Sequence, residues 1–218
     1  MGLRAIVLAV FAAVTLAGCA ANTSGVDSTP EEVAAATYRH DGPPSLTLYT
    51  MINNRSGSGA HTSLLINASQ RVVFDPAGSV RLKAVPEMGD VLYGITPRVK
   101  DFYERAHARK TYHVRIQSIP VSAEVAERAL RLAQQSGPVA SARCAASTSA
   151  LLQQLPGFES ISDTWYPNKL ADQFATLPGV SDRKLYEDDA DDKAIAIAQF
   201  EAEQRSTSEG AGRTQGNQ

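Results

Sequence analysis

The apolar and polar positions of the chain predict mainly strands in its first part and helices in its second. Six apolar-rich runs have the length and spacing of strands: 46–53, 61–67, 71–75, 80–85, 90–96 and 111–119. Turn-forming segments, such as "NNRSGSG" after the first run, separate them. The second and third runs are predicted to form a hairpin around "ASQ". In the last run the alternation is strict, so His113 is expected on a polar, solvent-exposed face.

Helical periodicity occupies most of the remaining ordered sequence. A helix is predicted over 97–109, and another begins after Ser122, which can serve as its N-cap, and ends at Gly137. A third helix is predicted over 140–155, and "DTWYPNKLADQF" contains one more short helix. Because strands and helices are largely segregated along the chain, we expect an α+β fold in which an antiparallel β-sheet packs against helices.

The N-terminus has the features of a secretory signal peptide over residues 1–18. One positive charge precedes a long apolar run, and small residues precede Cys19. The segment "LAGC" also resembles the lipobox of bacterial lipoproteins, which implies that Cys19 is lipidated, with acyl chains such as palmitate. Ala20 follows it rather than an aspartate, which by the same resemblance indicates an outer-membrane lipoprotein facing the periplasm. An ordinary signal peptide followed by an unrelated cysteine is the alternative.

Composition divides the rest of the chain into three parts. Residues 19–44 are polar and are predicted to be a flexible tether with a short helix near 31–37. Residues 45–186 carry the apolar patterns and form the predicted domain. Residues 187–218 begin as an acidic block and end in polar residues, so a largely disordered tail is expected. The net charge of -2 gives no electrostatic footprint for nucleic acid.

Cys144 is the residue whose chemistry the sequence leaves most open. The chain has two cysteines, and with Cys19 assigned to lipid, Cys144 has no partner for an intramolecular disulfide. One cysteine and four scattered histidines do not suggest a zinc site, and no cofactor is implied. With Ser141 as the N-cap, Cys144 is the third helical residue, where unpaired N–H groups and the helix dipole stabilise a thiolate. The alternative is an inert thiol buried on an apolar helix face.

His61 and Asp75 are the residues best placed to act with that thiol. A nucleophilic cysteine needs a base, and His61 opens an apolar strand at the rim of the predicted core. His40 lies in the tether, and His107 lies in "RAHARK", a segment typical of a solvated helix end. Asp75 ends the strand paired with that of His61, so its carboxylate is expected to orient the imidazole. Alternatively, His61 is only a polar strand-edge residue and Asp75 only the Asx cap of the turn "DPAG".

The order of these features resembles the circularly permuted papain fold, whose members include NlpC-like cell-wall hydrolases and lecithin:retinol acyltransferase. In that branch the histidine strand precedes the cysteine helix, as it does here. "HTSLLINASQRVVFDPAG" is similar to its strand pair, "ARCAASTSALLQQL" to its cysteine helix, and "WYPNKLADQF" to a Pro-x-x-Leu segment that follows in bacterial members. The resemblance covers about 46–174. It gives His61 the base position and Asp75 the polar third position, which is often histidine in relatives.

The resemblance implies an envelope-anchored thiol hydrolase, a peptidase or amidase without a metal. In it Cys144 is the nucleophile, His61 the general base and Asp75 the residue that orients His61, while the Cys144 N–H donates to the oxyanion. The substrate is expected among the peptide, amide or acyl components of the cell envelope, with the membrane reached through Cys19. Two alternatives stay open: a catalytically inactive outer-membrane lipoprotein that serves as a binding or assembly module, and a phospholipid or acyl transferase. The oligomeric state is not predicted.

Overall fold

The computed structural model of the protein describes residues 27–78 and 80–215. Seven strands form within these ranges: β1 Ser45–Asn53, β2 Gly59–Asn67, β3 Arg71–Phe74, β4 Glu87–Met88, β5 Val91–Leu92, β6 Tyr112–Pro120 and β7 Ser181–Leu185. Six helices accompany them: α1 Pro30–Ala35, α2 Pro97–His107, α3 Ala123–Ser136, α4 Cys144–Leu152, α5 Pro167–Ala175 and α6 Lys193–Gln215. None of these helices has the length and apolar character needed to cross a membrane. The predicted signal peptide, 1–18, and the predicted lipidation site, Cys19, lie outside the described residues.

The seven strands form one antiparallel sheet in the order β4-β5-β3-β2-β1-β6-β7. Residues 68–70 join β2 to β3, and Asn67 pairs with Arg71, so the hairpin predicted around "ASQ" is confirmed. β1 lies between β2 and β6; it pairs with β6 along its whole length and with β2 from Ser45 to Ile52. The sheet and the helices packed against it confirm the predicted α+β class.

Helices cover both faces of the sheet. On one face, α3, α4 and α5 pack over Leu64 and Ile66 of β2 and their neighbours. On the other, α2 and α6 pack over Leu65 and Tyr49. Because the centre of β2 is buried on both sides, its residues 64–66 are a continuous apolar run rather than an alternation. Each fully buried leucine or isoleucine in it contributes about 1.5–3 kcal/mol.

The polar face of β6 is buried, which corrects the expectation of a solvent-exposed His113. The His113 residue is 7% exposed, its ring stacks on Tyr186 with 4.6 Å between centroids, and its Nδ1 lies 2.7 Å from Asn54 Oδ1. Gln117, further along the same face, is fully buried and donates a hydrogen bond to the Ala171 carbonyl. Alternation in β6 therefore separates an apolar buried face from a polar face that is buried and hydrogen-bonded.

Several predicted boundaries differ from those observed. The run 80–85 is not a strand: its apolar residues Val80, Leu82 and Val85 are buried, but they are held in irregular backbone. The run 90–96 contributes only β5, and α2 ends at His107. β7 was not predicted, because its residues are mostly exposed and polar and so show no apolar pattern. Apolar burial alone therefore does not distinguish a strand from a packed loop.

The helix predicted after Ser122 is confirmed. The Ser122 side chain accepts a hydrogen bond from the Val125 N–H, as an N-cap does, and the helix ends at Ser136, directly before Gly137. The short helix predicted within "DTWYPNKLADQF" is present as α5.

The segment predicted as a flexible tether is docked from residue 27 onward. α1 lies within the predicted 31–37 region, and Thr29 and Glu32 close its first turn reciprocally as a capping box. The Ser28 N–H donates to the Glu87 carbonyl at 2.7 Å, next to the end of the sheet. These backbone and capping contacts replace the solvation that a free tether would have.

The segment 187–218, expected to be a largely disordered tail, contains the long helix α6. Its acidic beginning binds the domain, since Asp191 accepts hydrogen bonds from the Thr111 N–H and hydroxyl at 3.0 and 2.6 Å. Phe200 is buried, and its ring stacks on that of Phe102 with 4.3 Å between centroids. The expectation was wrong here because the acidic residues have partners on the domain and one aromatic residue anchors the helix.

Candidate active site

β2 is longer than its neighbour β3, and the difference leaves room for the site. β3 ends at Phe74, opposite Leu64, so the first residues of β2 have no partner from β3. His61 lies in this overhang, and Asp75 follows β3 directly. The His61 Nε2 and the Asp75 Oδ1 are 2.6 Å apart. The Asp75 side chain thus binds His61, whereas the turn after it is closed by the backbone, with the Gly78 N–H donating to the Asp75 carbonyl at 2.9 Å.

The Asp75 carboxylate is tightly enclosed. It is 4% exposed, and the Tyr103 hydroxyl of α2 hydrogen-bonds with it. The same hydroxyl lies 2.7 Å from Ser63 Oγ, which links the carboxylate to β2. A Cβ atom on Gly78 would lie 1.9 Å from Asp75 Oδ2, so only glycine leaves space for the carboxylate in this turn. These contacts fix the direction in which Asp75 presents its oxygen to His61.

Cys144 is the first residue of α4, because the helix begins later than predicted. Arg143 is its N-cap, so Ser141 is not the N-cap and Cys144 is not the third helical residue. The preceding Ala142 has φ of 64°, a left-handed conformation that is strained for alanine. The placement still favours a thiolate, since the N–H groups of the first turn have no partner within the helix.

The Cys144 sulfur contacts His61 and two backbone amides. Because Asp75 binds Nε2, the other ring nitrogen of His61, Nδ1, is the one left for the hydrogen bond with Sγ. The N–H groups of Thr62 and Ala145 also donate to the sulfur. Burial alone would raise the pKa of this thiol, but the hydrogen bond and charge of His61 and the two amides outweigh burial. The pKa of Cys144 is therefore below its ordinary value.

The same contacts favour a charged imidazole between two anions. Burial lowers the pKa of His61, but the charge and hydrogen bond of Asp75, followed by those of Cys144, raise it to about 10. Burial would raise the pKa of Asp75, yet the charge and hydrogen bond of His61 hold it below its usual range. The lowered pKa values of Cys144 and Asp75 and the raised pKa of His61 all favour the charged forms, a hydrogen-bonded row of carboxylate, imidazolium and thiolate. The structure thus brings together all three residues that the sequence predicted for the site.

His107 also belongs to the surroundings of the site, although "RAHARK" predicted a solvated helix end. It is 4% exposed, and its ring centroid lies 6.2 Å from that of His61 and 4.5 Å from that of Tyr103. Burial, followed by the charge of Lys193, lowers the pKa of His107 to about 3. Its Nδ1–H donates to the Tyr103 carbonyl at 2.9 Å. A neutral ring is therefore packed beside His61 and shields it from water.

Asp90 connects the Asp75 turn to the loop that leads into α4. Its Oδ2 accepts hydrogen bonds from the Ala77 N–H at 2.9 Å and the Val139 N–H at 2.8 Å. Its carbonyl accepts a third from the Asp75 N–H at 2.8 Å. Asp90 is 4% exposed and has φ of 60°, a conformation that aspartate tolerates better than most residues. One buried carboxylate thus positions the partner of His61 relative to the loop before Cys144.

Asp90→Ala is expected to lower the free energy of unfolding by about 3 kcal/mol, because two buried N–H groups lose their acceptor and alanine is strained in this conformation. In a chain of this size that corresponds to a fall of about 6–12 °C in Tm, measured by circular dichroism. Asp90→Asn keeps an acceptor oxygen and tolerates the backbone angle, so we expect it to lose less than about half as much. Equal losses in the two variants would contradict this account of Asp90.

Two cavities adjoin the site. One, of about 210 Å³, lies beside His61 between the start of β2 and the residues that lead into α6, and Met51 and His107 contribute to its wall. The other, of about 510 Å³, is an open groove along the outward side of α4 that begins at Arg143. The first is lined by His61 and the second by Arg143, the residue directly before Cys144.

The chain matches no protein-family model, no curated protein and no solved structure. Across residues 27–78 and 80–215, no group of three or more histidine, cysteine, aspartate or glutamate side chains is arranged to hold a metal ion. The arrangement that stands out is a thiol, an imidazole and a carboxylate in hydrogen-bonded sequence, which is the composition of a nucleophilic cysteine site.

Proposed function

We propose that the protein is a thiol hydrolase, a peptidase or amidase, that acts on the cell envelope with Cys144 as nucleophile. The observation that carries the proposal is the row Asp75–His61–Cys144, in which His61 uses one ring nitrogen for the carboxylate and the other for the sulfur. A buried cysteine with only a structural role needs neither a charged imidazole nor two amide donors aimed at its sulfur.

The chemistry follows from the charges of the resting site. The Cys144 thiolate adds to the carbonyl carbon of an amide, forming a C–S bond and a tetrahedral oxyanion. When the oxyanion collapses, the C–N bond breaks and His61 gives its proton to the departing amine, leaving a thioester on Cys144. Water then attacks the thioester: His61 takes one proton, hydroxyl bonds to the acyl carbon, and the C–S bond breaks. The acid leaves, and thiolate and imidazolium are restored.

The start of α4 offers donors for the oxyanion. As the first residue of the helix, Cys144 has an N–H group without an intrahelical partner. A carbonyl carbon bonded to Sγ holds its oxygen close to this amide, and the helix dipole adds favourable potential. We therefore assign the Cys144 N–H as an oxyanion donor, as the sequence predicted.

The order of elements supports a permuted papain-like fold for this hydrolase. The histidine strand β2 and the strand before Asp75, β3, precede the cysteine helix α4, and α4 packs mainly against β2. The permuted branch has the same order, with the histidine strand before the cysteine helix. With a lipidated Cys19 and outer-membrane sorting, the substrates within reach are envelope peptides and other amide-linked components facing the periplasm.

Incubation with muropeptides and, separately, with phospholipid vesicles tests the reaction and its substrate class. We expect hydrolysed muropeptide products by mass spectrometry, and we expect Cys144→Ala to reduce turnover by on the order of 10⁴-fold or more. Ser141→Ala, three residues upstream in an exposed loop, is the matched control and should retain turnover. Acyl transfer from the vesicle phospholipids without any cleavage of muropeptides would show that the protein is an acyltransferase and would contradict the proposed hydrolase. Turnover that is unaffected by Cys144→Ala would exclude the mechanism.

A further inference from the structure

The groove of about 510 Å³ that begins at Arg143 is built from α4 and two segments that flank this helix. The outward side of α4, with Ala146, Ser147 and Ala150, forms its floor, and residues 138–140 and 163–165 form its walls. The small side chains of the floor leave the groove open along the helix. Arg143, which lines one end of the groove, is the residue directly before Cys144 in the chain.

An exposed aromatic residue stands at the groove and is held in place. Trp165 is 57% exposed, although large apolar side chains are usually buried. The backbone beside it is anchored to α4, since the Thr164 N–H donates to Ser149 Oγ at 3.3 Å. The Gln153 amide also donates to Asp163 Oδ1 at 2.6 Å, and the buried Pro167 begins α5 two residues later. The exposed ring is therefore a fixed surface on the groove wall.

Arg143 lies on this ring, with its guanidinium carbon 5.1 Å from the centroid of Trp165. No carboxylate among residues 27–78 and 80–206 is within ion-pair distance of Arg143, whereas Arg115 binds two and Arg183 binds one. Stacking holds a guanidinium in one plane and leaves its N–H edge available for a planar anion. Asp163 lines the same groove and repels anions, so a bound carboxylate depends on its direct contact with Arg143.

We propose that Arg143, held by Trp165, binds a carboxylate of the substrate close to the scissile carbonyl. The substrate class is then a peptide or amide with a free carboxylate on the part that enters the groove. This inference rests on the proposed function, since it takes Cys144 as the nucleophile, and it gives Arg143 and Trp165 a role in specificity. Two parallel N–H groups of the Arg143 guanidinium match the two oxygens of a carboxylate, a pairing that lysine cannot reproduce.

Two alkylating reagents of similar size test this without knowledge of the natural substrate. Iodoacetate carries a carboxylate next to its reactive carbon, and iodoacetamide carries a neutral amide in its place. The full-length protein is treated with each reagent at neutral pH in about 0.15 M salt, which screens distant charges. Modification is followed on the Cys144 peptide by mass spectrometry, so that Cys19 does not contribute. The measured quantity is the ratio of the iodoacetate rate constant to the iodoacetamide rate constant.

We expect Arg143→Gln to lower this ratio about tenfold, the effect of losing a charge-assisted bidentate contact. Arg143→Lys keeps the positive charge but lacks the two parallel N–H donors of a guanidinium, so its ratio is expected to lie between those of wild type and Arg143→Gln. The rate of reaction with iodoacetate should saturate with reagent concentration only when Arg143 is present. Arg128→Gln, an equal change of net charge at an exposed position of α3, is the matched control and should leave the ratio unchanged.

The outcomes separate this inference from the proposed function. A wild-type Cys144 that reacts with neither reagent would overturn the proposed hydrolase and the inference with it. A reactive Cys144 whose ratio is the same in wild type, Arg143→Gln and Arg128→Gln would overturn the carboxylate site alone. An equal fall in Arg143→Gln and Arg128→Gln would do the same, because it would reflect net charge rather than a contact.

Discussion

Cys144 is expected to react with iodoacetamide at about pH 6 some 30–100 times faster in the wild-type protein than in the His61→Ala variant. An ordinary thiol with a pKa near 8.5 is only about 0.3% thiolate at that pH. Burial raises the pKa of Cys144, and the hydrogen bond and charge of His61 are the largest of the influences that lower it. The lower intrinsic nucleophilicity of a low-pKa thiolate reduces the advantage below the full ratio of thiolate fractions.

The pH profile makes this result specific to the ion pair. The wild-type rate should level off at a lower pH than the His61→Ala rate, because His61 lowers the pKa of Cys144. The His61→Ala rate should rise nearly tenfold per pH unit between about pH 6 and 8, as the thiol ionises. His113→Ala is the matched control. It removes another buried histidine, the second residue of β6, and leaves the surroundings of Cys144 unchanged. Similar rates at about pH 6 in wild type and His61→Ala would show that His61 does not activate the thiol.

Asp75→Asn is expected to lower the pKa of His61 from about 10 by roughly three units. Burial lowers the pKa of His61, and the Asp75 charge is the largest of the influences that oppose burial. The asparagine keeps the shape and a hydrogen-bonding group but removes the charge. In wild type His61 loses its proton as pH rises through about 10, so it can protonate a departing amine throughout the neutral range. In the variant that ability should decline within the neutral range.

NMR titration of labelled histidine side chains measures this directly, with His61 assigned by its absence from His61→Ala. The same titration in a Cys144→Ala background separates the effect of the thiolate from that of Asp75, because both raise the pKa of His61. Asp101→Asn is the control: it removes an exposed acid that binds Arg105 on α2, and it should leave the pKa of His61 unchanged. An unchanged His61 pKa in Asp75→Asn would mean that Asp75 is a turn residue with no influence on the imidazole.

The contact between His61 and Asp75 was predictable because the length of a hairpin connection determines which residues of its two strands lie opposite each other. Once "ASQ" is taken as a three-residue connection, the register of β2 and β3 follows, and Asp75 must come out beside the start of β2. Cys144 was predictable as a helix-start residue for a similar reason, although the N-cap was assigned two residues too early. The helix begins at Cys144 because residues 140–143 form a turn through the left-handed Ala142, a conformation that no sequence rule assigns to alanine.

The residues that support the site were not predictable in the same way. Asp90 follows a glycine in what looks like an ordinary turn, and nothing local shows that its carboxylate accepts from Ala77 and Val139. Tyr103 and His107 lie on a helix whose sequence is rich in charge, so the face that turns toward Asp75 is visible only once α2 is packed on the sheet. Tertiary hydrogen bonds of high sequence separation leave no periodic signal.

The docked segment before β1 limits how far the domain can stand from a membrane. Ser28, hydrogen-bonded to Glu87, is nine residues after Cys19. A chain of that length spans at most about 30 Å even when fully extended. In the proposed lipid-anchored form the domain would therefore stay close to the bilayer. The hydrolase would reach only those envelope components that approach the lipid surface to within the length of this linker plus the width of the domain.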